Sequence, residues 1–194
     1  IFTKYVGDFS FDEYPNYADS AEEVMKILQT QQQAEQSKNW EASKQFCLLW
    51  DEDIFNAFEV TLKRFNIPYD QEYLDYIYSM SEDIGALIIQ LKSHYQRPRP
   101  FQLAQYYKAR LFPVISVAAI SPAYPSGHTT EARVLAEFIG SRHPEQYDFL
   151  IQLSDDIAQS RLFLGLHYAS DNDFALMVAK AVYTSKEFTT KYGL

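Results

Sequence analysis

Apolar residues recur every three or four positions along most of the chain, which is the spacing of the buried face of an α-helix. The longest such stripe covers residues 73–91 behind the N-cap candidate Asp70, and it ends at His94 or Tyr95. Shorter stripes begin near other caps and breaks: Asp51, Ser126, Pro144 and Ser170. Only 6 Gly and 8 Pro interrupt the pattern. The pattern predicts an all-α protein in which about six or more helices form a single-domain bundle.

The first 18 residues do not follow this pattern. They are rich in Tyr and Phe, and we expect an arm whose rings pack on the helical body. Ser20 and Glu23 have the spacing of a capping box, which predicts that the first helix starts there and buries a stripe within residues 24–28. The polar stretch 29–45 is typical of a solvated helix or a mobile connection. The chain is therefore divided into an arm, residues 1–18, and one helical domain, residues 19–194.

Charge and composition narrow the range of functions. The 194 residues contain 17 Lys and Arg against 26 Asp and Glu, and the resulting charge of −9 disfavours nucleic acid polymers and anionic lipid as partners. No apolar run approaches the roughly 18 residues of a membrane span. The longest, residues 111–120, contains Pro113 and fits buried core or a loop. Cys47 lies in an apolar stretch and is predicted to be a buried, inert thiol.

The same features leave compartment and assembly open. We expect a soluble protein, periplasmic or secreted if a signal peptide was removed and otherwise cytoplasmic. A homo-oligomer is compatible with the sequence. Neither charge nor composition selects between these possibilities.

Residues 124–130 read Tyr-Pro-Ser-Gly-His-Thr-Thr and lead directly into a predicted helix. Backbone N–H groups at a helix start lack intrahelical partners, and the missing Cβ of Gly127 lets an anion approach them closely. His128, in the first turn, faces the same place, where the helix dipole disfavours a permanent cation. With the Ser126 hydroxyl beside them, these groups predict an anion site at the start of this helix.

Two other segments carry unusual polar residues at helix ends. Residues 92–101 close the longest stripe with three cations and two prolines, although cations near a helix C-terminus are also explained by its dipole. In residues 160–171, Arg161 precedes a histidine, His167, that stands four positions before Asp171. On a helix or turn this spacing lets a carboxylate fix the tautomer of an imidazole, and a surface ion pair would have the same spacing.

Together the three segments resemble the type 2 phosphatidic acid phosphatase and vanadium haloperoxidase superfamily. Its signature is Lys-x6-Arg-Pro, then Pro-Ser-Gly-His, then Ser-Arg-x5-His-x3-Asp. This chain matches it in order with Lys92, Arg99, Pro100, residues 125–128, Ser160, Arg161, His167 and Asp171. The match covers residues 92–171. Within the superfamily, the chain resembles the bacterial class A nonspecific acid phosphatases. It implies a phosphatase/haloperoxidase-like helical fold.

The resemblance also implies a metal-independent phosphomonoester hydrolase acting on a small phosphorylated substrate, soluble or lipid-derived. His167 would attack phosphorus and form a phosphohistidine, Asp171 would orient it, and His128 would serve as general acid and base. The remaining signature residues would bind the phosphate: Lys92, Arg99, Ser126, Gly127 and Arg161. Cations are expected to lower the pKa of His128, and Asp171 to raise that of His167, which predicts a mildly acidic to neutral optimum.

Other interpretations remain open at the level of sequence. No cofactor is required, but vanadate could bind as a phosphate mimic or as the prosthetic group of a haloperoxidase with His167 as its ligand. The cradle could also bind phosphate without turnover, or the chain could be a helical interaction module. Arg97 is predicted to be a solvated charge, and His94 and His143 ordinary surface histidines, too widely spaced for a zinc site. The pocket walls are expected from the arm and residues 101–124.

Overall fold

The computed structural model describes residues 14–112 and 114–193, and within these ranges the chain is helical without any strand. The all-α class is therefore confirmed. The helices are α1 (Tyr17–Gln36), α2 (Trp40–Glu52), α3 (Ile54–Arg64), α4 (Gln71–Tyr95), α5 (Pro100–Leu103), α6 (Gly127–Arg142), α7 (Tyr147–Phe163), α8 (Ala169–Tyr183) and α9 (Lys186–Tyr192). Two 3₁₀ turns, Val117–Ile120 and Pro144–Gln146, precede α6 and α7. Most of the predicted arm, and Pro113, lie outside the described residues.

Helix α6 lies at the centre of the bundle and packs against α4, α7 and α8. The contacts bury apolar side chains completely, among them Ile84, Leu135, Phe138 and Val178. Burial of one such side chain stabilises a fold by about 1.5–3 kcal/mol. This shared core fixes the start of α6 relative to the C-terminal end of α4.

Two predicted helix starts agree with the structure. The Asp70 carboxylate accepts the Tyr73 N–H at 2.9 Å at the start of α4, which ends at Tyr95 as expected. The residue after α4, Gln96, has a left-handed φ of 54°. Ser126 is the N-cap of α6, as the sequence predicts. Both ends of the longest stripe were therefore predictable from local pattern.

Two other predicted starts are wrong. Helix α1 begins earlier than the capping-box pattern indicates, because the Asn16 side chain caps it by accepting the Ala18 N–H at 2.9 Å. Ser20 lies inside that helix and is buried. Likewise α8 begins after Tyr168, so Ser170 is not its cap. Both serines, like Glu23, face a buried arginine described below.

The polar stretch 29–45 forms the end of α1 and the start of α2, separated by a three-residue turn. It is not simply solvated, because Gln31 is completely buried. Its amide donates to the Phe163 carbonyl at 2.9 Å, and its carbonyl accepts the Phe112 N–H at 2.8 Å. These bonds tie α1 to the end of α7.

Two minor predictions are also settled by burial. Cys47 is buried, as predicted, and burial raises its pKa to about 11, which disfavours the reactive thiolate. The apolar run 111–120 belongs to the long connection between α5 and α6, where Ile115 and Ile120 are each 93% exposed. Among the described helices, none is both long and apolar enough to cross a membrane.

Candidate active site

A cavity of about 240 Å³ opens where the C-terminal half of α4 faces the start of α6. Six of the eight predicted site residues line it: Lys92, Arg99, Gly127, His128, Arg161 and His167. The other two, Ser126 and Asp171, are completely buried and are not part of its lining. A larger cavity, about 670 Å³ between α1, α2 and α7, contains none of the eight. The structure thus brings distant signature residues together at one small cavity.

The remaining walls of the small cavity differ from expectation. Residues 101–124 contribute only Ala118 and Ser121. The rest of the wall comes from α4 and α6, through Gly85, two isoleucines and Glu131. Tyr106, an aromatic residue of segment 101–124, is not part of the lining and is 64% exposed. Most of the arm, which was also expected to contribute, lies outside the described residues.

His167 is held by hydrogen bonds to both ring nitrogens. Nδ1 lies 3.0 Å from Oδ2 of Asp171, and Nε2 lies 2.8 Å from Nη1 of Arg99. A guanidinium has no acceptor atom, so Nε2 must accept and Nδ1 must carry the proton. This tautomer gives Nε2 the lone pair, on the side of the ring that faces the cavity cations.

The protonation of His167 corrects one expectation. Burial, followed by the charges of Arg99 and Lys92, holds the pKa of His167 well below its usual range. Asp171 was expected to raise that pKa, but it does not outweigh these opposing effects. Burial also raises the pKa of Asp171 to about 6, against the influence of Arg97. The hydrogen bonds and the lowered pKa both favour a neutral His167, whose Nε2 lone pair accepts the Arg99 N–H.

Lys92 and Arg99 are buried cations held mainly by backbone carbonyls. Lys92 donates to the Pro122 carbonyl at 2.5 Å, and Arg99 donates to those of Ser121 at 2.9 Å and Leu166 at 2.8 Å. Burial and then the charge of Arg99 lower the pKa of Lys92 to about 7. Burial lowers the pKa of Arg99 to about 10, with Asp171 opposing the shift and Arg161 adding to it. Neutral carbonyl partners leave most of their positive charge uncompensated.

Arg161 pairs with a residue that sequence reasoning did not identify. Its Nη2 donates to Oδ1 of Asp51, which lies near the end of α2 and also accepts the Ser116 hydroxyl at 2.9 Å. The other donors of Arg161, Nε and Nη1, have no hydrogen-bond partner among the described residues. Unpaired buried donors of a charged group are costly, so they are suited to a bound anion.

The start of α6 supplies Ser126, Gly127 and His128. The Ser126 hydroxyl lies 2.8 Å from the Thr129 hydroxyl and also caps the helix, so its direction is inward. A Cβ on Gly127 would lie 3.4 Å from Ile88, a tight contact between α6 and α4. His128 Nε2 lies 3.2 Å from the Asp51 carbonyl and therefore donates to it. Burial and then Arg161 lower the pKa of His128 to about 3, in the predicted direction.

Arg97 is the clearest error of the sequence analysis. It was expected in solvent, yet its side chain is 1% exposed and bonded to Asp171 and Glu23. Asp51 was missed as well, although a signal existed. Asp51 follows the apolar Cys47 by four residues, one helical turn, which places this aspartate on the same buried face of α2. A charged residue on such a face needs a buried partner.

Comparison with known proteins agrees with this geometry. A family model described as the PAP2 superfamily matches residues 73–185, more than half of the chain, from the first turn of α4 past the end of α8. The chain belongs to the PAP2 superfamily. The matched region contains all eight predicted site residues of this PAP2 protein. It excludes α1 and α2, which carry Glu23 and Asp51.

Individual relatives are named non-specific acid phosphatases. That of Providencia stuartii is 33% identical over 104 residues, which cover 52% of this chain and 41% of the relative. Those of Salmonella typhimurium and Salmonella typhi are each 33% identical over 82 residues, 42% of this chain and 32% of each relative. The matched segments thus span well under half the length of these phosphatases.

Proposed function

We propose that this PAP2 protein is a metal-independent phosphomonoester hydrolase that acts through a phosphohistidine intermediate. The observation that carries the proposal is the neutral His167, whose Nε2 lone pair faces a cavity walled by Lys92, Arg99 and Arg161. The non-specific acid phosphatases among its relatives support the same reaction class. Three cations from three segments can offset the charge of a phosphate without a metal.

The phosphate is bound by side-chain and backbone donors. Nε and Nη1 of Arg161 take two of its oxygens, and Lys92 and Arg99 neutralise the rest of its charge. The Gly127 N–H at the start of α6 adds a neutral donor. The Ser126 hydroxyl bonds to the Thr129 hydroxyl and accepts the Thr129 N–H as the helix cap, so it must turn away from Thr129 to bind the phosphate.

Transfer then proceeds in two steps. The Nε2 lone pair of His167 forms a bond to phosphorus as the P–O ester bond breaks, and Arg99 moves its N–H from Nε2 to a phosphate oxygen. His128 gives a proton to the leaving alkoxide and later takes one from the water that releases phosphate. Asp171 holds Nδ1–H throughout. A bound phosphate raises the pKa of His128, because it opposes the cations that lower it.

The direct test is hydrolysis of p-nitrophenyl phosphate, followed by a panel of nucleotides, sugar phosphates and lipid phosphates, all with EDTA present. We expect turnover that vanadate inhibits competitively, and a fall in kcat of at least about 10³-fold in His167→Ala. His94→Ala is the matched control, since His94 is exposed on α4 away from the cavity. A phosphohistidine trapped in rapid quench would support the covalent step.

Three results would contradict the proposal. Full turnover in His167→Ala would show that His167 is not the nucleophile. Bromination that requires vanadate and peroxide, without phosphatase activity, would identify a haloperoxidase that uses the same anion site. Vanadate binding without either activity would identify a phosphate-binding protein. The assays share one protein preparation, so the outcomes are directly comparable.

A further inference from the structure

We propose that Arg97, anchored by Glu23 of α1, is a positioning residue for the pair His167 and Asp171, so that the N-terminal helix forms part of the catalytic apparatus. The inference rests on the proposed role of His167 as nucleophile. It concerns residues outside the family signature, and Glu23 lies outside the matched region 73–185.

The two oxygens of Asp171 are divided between two tasks. Oδ2 accepts the Nδ1–H of His167 and the backbone N–H of Tyr168, each at 3.0 Å. Oδ1 accepts Nη1 of Arg97 at 2.5 Å. Asp171 is completely buried. Among the described residues it forms ion pairs with two side chains, Arg97 and His167. The carboxylate that orients the imidazole is thus itself oriented by Arg97.

Arg97 is in turn fixed by α1 and by the start of α8. Its Nη2 donates to the Glu23 carboxylate at 3.1 Å and to the Ser20 hydroxyl at 3.0 Å. The same carboxylate accepts both the N–H and the hydroxyl of Ser170 at 2.8 Å. The Arg97 guanidinium also lies over the Tyr168 ring, 3.7 Å from the centroid. This arrangement uses the planar fork of arginine, which a lysine cannot reproduce.

The electrostatic consequence is a carboxylate kept ionised in a buried place. Burial raises the pKa of Asp171, and Arg97 is the largest opposing influence. Other charged groups also face it: Lys92 from α4, Arg99 at the start of α5 and Glu23 from α1. Lys92 and Arg99 donate to backbone carbonyls and make no bond to Arg97, so we expect their charges to remain when Arg97 is changed. Loss of Arg97 therefore leaves Asp171 protonated up to a higher pH, and a protonated carboxyl is a weaker acceptor for Nδ1–H.

The test compares Arg97→Gln, Arg97→Lys and Glu23→Gln with the exposed control Arg110→Gln. We expect the acid limb of the kcat profile to move up by about one pH unit in Arg97→Gln, a tenfold lower kcat at pH 5, with little change in KM. Arg97→Lys keeps the charge and should shift the limb less. In the double variant, Glu23→Gln should add little to Arg97→Gln, because Glu23 acts through Arg97.

A second measurement does not depend on turnover. Histidine side-chain ¹⁵N spectra of the whole protein should show a protonated, hydrogen-bonded Nδ1 for His167 in the wild type. In Arg97→Gln the signature of this hydrogen bond should weaken at low pH. Near-ultraviolet circular dichroism checks that each variant is folded, and if Arg97→Gln is not, Arg97→Lys and Glu23→Gln carry the test. An unchanged profile and spectrum in the folded variants would overturn the inference. An inactive wild type with the expected spectra would refute the proposed function alone.

Discussion

The buried arginines and lysine around the cavity differ in how their charge is compensated. Arg97 faces two carboxylates and Arg161 faces one, whereas Lys92 and Arg99 donate largely to backbone carbonyls. A carbonyl dipole satisfies a donor without cancelling its charge. The positive potential is therefore concentrated at Lys92, Arg99 and the unpaired edge of Arg161, which are the groups that line the cavity.

Glu131 is the one carboxyl among the described residues that line the cavity, and we predict that it makes anion binding depend on pH. Burial raises its pKa to about 7, so it is neutral below that pH and a carboxylate above it. We expect KM for a phosphate ester to rise from pH 6 to pH 8 less steeply in Glu131→Gln than in the wild type. A repulsion on the order of 1 kcal/mol corresponds to about a fivefold difference at pH 8.

Lys92 also has a pKa of about 7, but it is present in both the wild type and Glu131→Gln. The difference between their KM profiles therefore reports the effect of the Glu131 carboxyl. Glu137→Gln is the control, since it removes a carboxyl from the same helix outside the cavity. Parallel KM profiles for wild type and Glu131→Gln would show that this carboxyl does not sense the bound anion.

Much of the site was predictable at the residue scale, and the exceptions have one cause. Six of the eight predicted site residues line one cavity, and Ser126 and Asp171 are buried outside its lining. Arg97 was wrongly expected in solvent, and Asp51 was missed, because the partner of each is remote in sequence. Arg97 and Asp171 are 74 residues apart, and Asp51 and Arg161 are 110 residues apart. Periodicity shows which face is buried but does not pair charges across helices.

At the scale of elements, local capping and long-range polar networks draw on the same residue types. Ser20, Glu23 and Ser170 have the sequence pattern of helix caps. In the folded chain all three bind Arg97, while Asn16 caps α1 and α8 begins after Tyr168. Where no buried charge competes, as at Asp70, the cap is where the pattern puts it.

Helix α6 also depends on a glycine near its far end. A Cβ on Gly140 would lie 2.6 Å from a ring carbon of Tyr147 at the start of α7, whereas one on Gly85 in α4 meets its nearest neighbour at 3.9 Å. We expect Gly140→Ala to lower the free energy of unfolding by about 1–3 kcal/mol through overpacking. Gly85→Ala should raise it by about 0.5–1 kcal/mol, because alanine is the better helix former.

Urea denaturation of both variants measures these changes in the free energy of unfolding. Both are Gly→Ala changes within helices, so the gain in helix propensity is the same in each. The Tyr147 ring is 37% exposed and donates to Glu137 at 2.9 Å, so it can move only by losing that bond. Equal stabilisation by the two substitutions would show that α6 and α7 separate freely at this point.

At the scale of the whole molecule, the chain has a net charge of −9, yet the buried cations among its described residues lie close together. Lys92 and Arg161 lie in the last turns of α4 and α7, and Arg99 and His167 lie just before α5 and α8. The N-terminal helices contribute carboxylates to the same region through Glu23 and Asp51. The acidic surface disfavours extended polyanions, while a small anion still finds a local positive cavity.

This arrangement predicts that a small anion stabilises the entire fold. Phosphate bound by Lys92, Arg99 and Arg161 bridges three helical segments, and at about 100 times its Kd it should add about 2.7 kcal/mol to the free energy of unfolding. For a chain of this size that raises Tm by roughly 5–10 °C, measured by calorimetry against sodium chloride of equal ionic strength. Arg110→Gln should retain the shift, and Arg99→Gln should lose most of it because one of the three cations is gone. An equal shift with chloride, or in Arg99→Gln, would mean that phosphate acts on the general surface, since only binding at the cavity makes the stabilisation depend on Arg99.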